Sequence, residues 1–227
     1  MKTKLTLLLP FLISAFVSFA QNATITSQAG NPSYPTIQDA VDNASSGDVI
    51  EVNAGTYNEQ VTINKNGLTL NALGAGATIS SGGSYGISLT ANNVTIDNFT
   101  VTGFNDGLKL GTSNGVELLN SSFDNNKINN LKVSNAAVVT NLTVTDCSFD
   151  NAQFGWYISN YDSSVGTNTF DGITVTNTTF SGNTKKGIYA EKMSNASFDQ
   201  ITVDGSGVDS SYGFNNGIDI NLKWDDY

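Results

Sequence analysis

The chain has 227 residues, which is enough for one domain with a sizeable buried core. It carries ten basic residues, all of them lysine, against twenty acidic residues, and its net charge is −10. Nucleic acid is therefore not an expected partner, because binding it depends on clustered Lys and Arg. The chain contains no histidine, which excludes histidine-based triads and histidine metal sites, and the single cysteine, Cys147, excludes an intrachain disulfide.

Residues 1–20 have the pattern of a signal peptide. Lys2 and Lys4 precede an uncharged, mostly apolar run, and Ser18-Phe19-Ala20 provides small residues near a cleavage site. We predict a mature chain from Gln21 that forms one domain over residues 21–227. No later stretch approaches the ~20 apolar residues of a spanning helix, so we expect no membrane insertion and a secreted, extracellular or cell-surface location.

A pattern of a turn residue followed by apolar, variable and apolar residues recurs along the chain. It is found at residues 86–89, 107–110, 130–133, 155–158, 187–190 and 217–220. A second landmark lies in phase with it at residues 96–98, 118–120, 144–146, 175–177 and 203–205, each followed by an apolar residue at Val101, Phe123, Phe149, Phe180 and Val208. Period-two strands that repeat every ~20–30 residues predict stacked coils of parallel sheet.

Turn residues of neighbouring coils should lie one strand spacing apart, ~4.8 Å. We therefore predict a ladder of Asn98, Asn120, Asp146 and Asn177 at one corner of the coils, where Asn and Asp tolerate the left-handed backbone conformation. Cys147 falls on an inward position of the next strand and is predicted to be a buried thiol.

The segment 36–44 predicts a short capping helix. Thr36 is a suitable N-cap, and Ile37, Ala40, Val41 and Ala44 fall on one face that could cover the first coil. The sequence shows no comparable element after the last repeat. Two alternatives remain at that end, namely further coils after Tyr227 or a docked partner.

The same region carries a family resemblance. Residues 34–41 (YPTIQDAV), 47–52 (GDVIEV) and 55–59 (GTYNE) resemble the entry segment of pectin-lyase-like right-handed β-helix proteins. That superfamily includes polysaccharide lyases, pectin esterases, epimerases and many secreted bacterial proteins. The resemblance implies an all-β, right-handed parallel β-helix with a short N-terminal capping helix, and a polysaccharide partner on the outer face of one sheet. It does not specify an activity, because the Arg and His residues of the known pectin-active sites are absent.

One outward column of the repeat holds the leading site. We predict that Ser88, Lys109, Lys132, Tyr157, Tyr189 and Asp219 are stacked, and that Thr90, Gly111, Ser134, Ser159, Glu191 and Asn221 form the next column. The catalytic candidates are Lys109, Lys132, Tyr157 and Tyr189. In β-elimination on a uronic-acid polymer, Lys132 would be the base, Tyr157 the acid and Lys109 the group that binds the carboxylate. The alternative is that these are ordinary surface residues that discourage edge association.

Four further residues are candidates for substrate binding, namely Phe154, Tyr161, Glu191 and Asp219. The aromatic residues could stack on sugar rings, although Phe154 and Trp156 could instead fill the core. Oxygen ligands on neighbouring coils suit Ca²⁺, but no EF-hand or nonapeptide calcium repeat is present, so we expect no dedicated metal and no cofactor.

Two functional hypotheses follow from the sequence. The first is a secreted module that binds an extracellular, uronic-acid polysaccharide and, if it is enzymatic, cleaves it by β-elimination. The second is a non-catalytic cell-surface or adhesion module in which the coils act as a spacer.

Overall fold

The computed structural model describes residues 22–134, 136–160, 169–211 and 216–221. The predicted signal peptide, Tyr161 and residues 222–227 lie outside this part of the chain. The described strands, in chain order, are β1 (Ala23–Ile25), β2 (Ser33–Tyr34), β3 (Val49–Val52), β4 (Gly55–Tyr57), β5 (Val61–Ile63), β6 (Thr69–Ala72), β7 (Ala77–Ile79), β8 (Tyr85–Leu89), β9 (Thr95–Asp97), β10 (Phe99–Thr102), β11 (Asp106–Leu110), β12 (Ser113–Asn114), β13 (Glu117–Leu119), β14 (Ser122–Asp124), β15 (Asn129–Val133), β16 (Val139–Thr140), β17 (Thr143–Thr145), β18 (Ser148–Asp150), β19 (Phe154–Ile158), β20 (Phe170–Thr176), β21 (Lys186–Ala190), β22 (Ser194–Asp199) and β23 (Asn216–Ile220). One helix, α1 (Ile37–Asn43), lies between β2 and β3.

The strands form three sheets that run along a parallel β-helix, as predicted. The first sheet has the order β12-β16-β20-β17-β13-β9-β6-β3-β1-β2, with β22 also paired to β20. The second has the order β18-β14-β10-β7-β4, and the third has the order β23-β21-β19-β15-β11-β8-β5. Pairing is parallel except where β1 meets β2 and β3. The coils from β3 to β11 each contribute one short strand to each sheet, whereas after β20 and β22 the second sheet is continued, among the described residues, only by isolated bridges at Thr179 and Thr202.

The inward residues of the three sheets fill a continuous apolar interior. Within it, the ring of Phe149 stacks between Phe123 and Phe180, with centroids 5.2 and 5.4 Å away, and meets the edge of Trp156 at 5.5 Å. Trp156 is fully buried, which confirms the alternative that it fills the core. Cys147 is also buried, as expected, and burial raises the pKa of its thiol to about 12.

From β9 onward, a single residue with positive φ ends the first-sheet strand and begins the turn to the second sheet. Asn98, Asn120, Asp146 and Asn177 have φ values of 65°, 46°, 54° and 47°, which confirms the predicted ladder. Side chains along it bond to the preceding coil: Asn120 Nδ2 donates to Asp97 Oδ1 at 2.8 Å, and Asn177 donates to Asp146. These bonds offset the cost of the left-handed conformation and hold adjacent coils in register.

Helix α1 closes the N-terminal end. Thr36 Oγ1 accepts a hydrogen bond from the Asp39 amide at 3.0 Å, and Glu59 accepts two more from the first-turn amides, both at 2.9 Å. The apolar face of the helix, Ile37, Ala40 and Val41, is completely buried. The predicted cap is therefore confirmed in its position and in the face that it buries.

The opposite end of the described chain is open. Ile218 and Ile220 continue the inward column of the third sheet but are 45% and 50% exposed, because no described coil covers them. The two alternatives for this end, further coils or a docked partner, stay predictions.

The predicted phase of the last coil was wrong. Val208, expected as an inward plug, is 67% exposed, whereas Thr202 pairs with Thr179 and so places Val203 beside the buried Phe180. The first-sheet landmark of this coil is Phe198-Asp199-Gln200, since Phe198 pairs with Val175 and Gln200 has a φ of 52°. The segment Val203-Asp204-Gly205 has the stronger turn composition, and it drew the prediction five residues too far along the chain.

Candidate functional site

The predicted column on the outer face of the third sheet is present in full register. Lys109 pairs with Ser88 and Lys132, Tyr157 pairs with Lys132 and Tyr189, and Tyr189 pairs with Asp219. We call this the central column. Its side chains point outward and are half-buried, while the residues on either side, such as Leu108 and Leu110, are completely buried. The four catalytic candidates are therefore stacked on four consecutive strands.

A second column beside it was missed by the sequence reasoning. It holds the first residues of strands β8, β11, β15, β19 and β21. We call it the entry column: Tyr85, Asp106, Asn129, Phe154 and Lys186. Contacts join the two columns at several levels. Lys132 Nζ lies 3.7 Å from Asp106 Oδ2, the Phe154 and Tyr157 rings meet edge to face at 5.0 Å, and Lys186 Nζ lies 5.0 Å from the Tyr189 ring centre. The two columns therefore form one surface.

The signal for the entry column is present in the sequence. Each of its members directly precedes the turn residue of the repeated pattern, usually glycine. Strict alternation predicts an inward position for that residue. Its contacts with the central column show that it lies at the outer face instead.

The first half of the surface, on strands β11 and β15, is polar and cationic. Asn129 Nδ2 donates to Asp106 Oδ1 at 2.6 Å, and Lys109 and Lys132 are directly adjacent in the central column. Asp106 and Asn129 are 9% and 3% exposed, whereas the Lys132 side chain is 36% exposed. This half presents mobile ammonium groups above a fixed, buried amide and carboxylate.

The second half of the surface, on strands β19 and β21, is aromatic. Tyr157 and Tyr189 stack with their ring centres 5.3 Å apart, and Phe154 lies 6.2 Å from Tyr189. Phe154 is only 6% exposed, so it supports the tyrosines and leaves little ring surface for a ligand. Buried Lys186 forms an ion pair with Asp219, which places the two at the end of this aromatic patch.

Glu191 lies beside the aromatic patch and is 4% exposed. Its Oε1 accepts a hydrogen bond from the Tyr189 hydroxyl at 2.6 Å, and its Oε2 accepts one from the Asn160 amide at 2.8 Å. Burial, followed by the hydrogen bond to this carboxylate and its charge, raises the pKa of Tyr189 well above its usual value. The phenol therefore remains protonated at neutral pH and is held in one orientation.

The next residue, Lys192, is also buried. Its Nζ donates to the Ala137 carbonyl at 2.7 Å and lies 3.4 Å from the Ser134 carbonyl, and burial lowers the pKa of this amine to about 8. Glu191 and Lys192 thus hold together the segments that leave the third sheet in two earlier coils. They position the side of the surface without presenting charge to solvent.

Lysine is unevenly distributed among the three sheets, although the third sheet also carries the carboxylates of Asp106 and Asp219. Within the described strands, lysine occurs only in the third sheet, at Lys109, Lys132 and Lys186. The strands of the other two sheets carry carboxylates and no lysine: Glu51, Asp97, Glu117, Asp124, Asp150, Asp171 and Asp199. A chain with a strongly negative net charge thus places its strand cations on one face.

The structure does not bring all the predicted residues together. Glu191 and Asp219 flank Tyr189 from different sides, and Tyr161 lies outside the described residues. Among the described residues, no three His, Cys, Asp or Glu side chains are grouped so that they could hold a metal ion. In the same part of the chain, no helix is long and apolar enough to span a membrane.

Comparisons with known proteins show similarity in fold and one distant relative. No family model matches the chain. A cell surface glycoprotein of Methanothermus fervidus is 32% identical over 127 residues, which cover 54% of this chain and 21% of that protein. This chain therefore spans about a fifth of the length of that relative.

Two solved structures share the fold. An alginate lyase from Paenibacillus sp. str. FPU-7 has a TM-score of 0.59 and 15% identity, with 72% of each chain covered. ORF18 of Geobacillus virus E2 has a TM-score of 0.54 and 18% identity, with 81% of this chain and 42% of that chain covered. At these identities the likeness concerns the fold alone.

Proposed function

We propose that this protein acts outside the cell and binds an anionic, uronic-acid polysaccharide on the outer face of its third sheet. The observation that carries the proposal is the confinement of strand lysines to this face of an acidic chain. The acidic outer faces of the other sheets repel a polyanion, and the lysine face attracts it.

The aromatic half of the surface suits the same ligand. The stacked rings of Tyr157 and Tyr189 offer apolar faces with polar edges, which pack against sugar rings. The two halves follow one another along the axis of the β-helix, so a polymer lying along this axis would contact both. The alginate lyase fold and the name of the archaeal relative are in keeping with a carbohydrate partner and a location at the cell surface.

The test is a binding titration of the chain from Gln21 with alginate, polygalacturonate and neutral dextran. We expect binding to the acidic polymers only, weakening as salt is added. Replacing both Lys109 and Lys132 with Ala should lower the affinity by at least about tenfold, since each charged contact contributes roughly 1.5–3 kcal/mol. Lys127→Ala is the charge-matched control for the single variants Lys109→Ala and Lys132→Ala, because each removes one positive charge and Lys127 is exposed in the turn between the second and third sheets.

Equal losses of affinity in Lys109→Ala, Lys132→Ala and the Lys127→Ala control would attribute binding to net charge and reject the site. No binding to any polymer would leave the spacer hypothesis as the better account.

A second candidate function is cleavage by β-elimination. It is favoured by a held, protonated phenol at Tyr189 next to Tyr157, and by two adjacent lysines that could neutralise a carboxylate. The ultraviolet absorbance of the unsaturated product tests it in the same titrations. Binding without an absorbance change would assign a binding role alone.

A further inference from the structure

The buried amide of Asn129 has an unused hydrogen-bond acceptor. Its Oδ1 has no donor, although the residue is 3% exposed. The amide cannot rotate to relieve this, because its Nδ2 donates to Asp106 Oδ1 at 2.6 Å and a carboxylate requires the donor on that side. Buried acceptors in folded proteins are nearly always paired, so this one calls for an explanation.

A partly exposed side chain, Lys132, lies beside this pair. It belongs to the same strand as Asn129, and its Nζ reaches back to the preceding coil, where it lies 3.7 Å from Asp106 Oδ2. That distance is longer than a hydrogen bond, and 36% of the Lys132 side chain is exposed. Lys132 can therefore turn toward a ligand carboxylate, and Asp106 keeps its hydrogen bond from Asn129 when it does.

We propose that Asp106, Asn129 and Lys132 form a subsite for a single uronate unit. A sugar hydroxyl donates to Asn129 Oδ1. The carboxylate of the same sugar binds Lys132, which moves away from Asp106, and Lys109, one strand away, is the second cation for this carboxylate. The subsite requires a ligand with a hydrogen-bond donor and an anion on one ring, since Oδ1 accepts a hydrogen bond and the ammonium groups bind negative charge. This inference rests on the proposed function and specifies its contacts.

The experiment compares two asparagine variants of the chain from Gln21 by calorimetric titration with oligosaccharides of polygalacturonate and of alginate. Asn129→Ala should bind about tenfold more weakly than the wild type, the effect of one lost hydrogen bond in an enclosed site. Asn71→Ala is the matched control, because Asn71 lies on the outer face of the first sheet, and its affinity should equal that of the wild type.

A second measurement needs no variant. In the wild type, the side-chain amide resonance of Asn129 should shift when the uronate oligosaccharide binds, and should not shift with dextran oligosaccharides. Wild-type affinity in Asn129→Ala, or an unmoved resonance at saturation, would overturn the subsite alone. Failure of the wild type to bind either uronate oligosaccharide would overturn the proposed function together with the subsite.

Discussion

The stacked rings of the core provide a quantitative test of what holds the coils together. Phe149 and Phe104 are both completely buried, but Phe149 contacts the rings of Phe123, Phe180 and Trp156, whereas Phe104 contacts no ring among the described residues. Replacing each with Leu removes the same atoms. The difference between the two variants therefore isolates the contribution of the aromatic contacts.

The common cost of the smaller side chain is about 1–2 kcal/mol at either site. Each ring pair contributes roughly 0.5–1.5 kcal/mol beyond burial, so three contacts should make Phe149→Leu more destabilising than Phe104→Leu by about 1.5–4.5 kcal/mol. Urea unfolding at equilibrium measures both, and the comparison holds if the dependence of the free energy on urea is unchanged, since stacked repeats can unfold in segments. Equal losses of stability in the two variants would refute the reasoning.

Three further predictions concern charged and ionisable groups. Burial lowers the pKa of Lys192 in the folded protein to about 8, so between about pH 8 and 10.5 the unfolded chain binds more protons than the folded one and the free energy of unfolding should rise with pH. Lys192→Met should remove this rise in a pH series of melting temperatures, and an identical slope in both proteins would contradict the prediction. Asp219→Ala should destabilise the fold more than Lys186→Met. The first variant takes a carboxylate away from Lys186, whose side chain is 1% exposed, whereas the second leaves Asp219, whose side chain is 25% exposed and can be hydrated. Denaturant titration measures both losses of stability, and the reverse order would contradict the prediction. Cys147 should react with a thiol reagent only after unfolding, because burial raises its pKa to about 12, and rapid labelling of the folded protein would oppose this.

The fold was predictable from sequence because its determinants are local and repeated. A strand of period two with a turn residue before it recurs often enough that its phase can be read without any long-range information, and the ladder at Asn98 and Asn120 follows from the same repeat. The central column followed at once, since residues at equal phase in stacked coils must be neighbours.

The missed features arise where side-chain direction departs from ideal alternation. In the entry column, Asp106, Asn129 and Lys186 contact one another or the central column, an outward placement that period two does not predict. The last coil failed for a related reason, because a strong turn composition at Val203-Asp204-Gly205 competes with a weaker landmark at Phe198. The burial of Glu191 depends on contacts with Tyr189 and Asn160 that no local pattern encodes.

The corners of the coil differ in how much variation they accept. Between the first and second sheets, one left-handed residue makes the turn in the coils from Asn98 onward. Between the third and first sheets, the connecting segment varies in length: it spans residues 90–94 in one coil, 111–112 in the next, and 159–169 in a later one. New loops can therefore be inserted beside the candidate binding surface without changing the pitch of the helix. A lineage built on this plan could acquire new ligand preferences by exchanging loops along one flank, and an engineer could graft recognition loops at the same places.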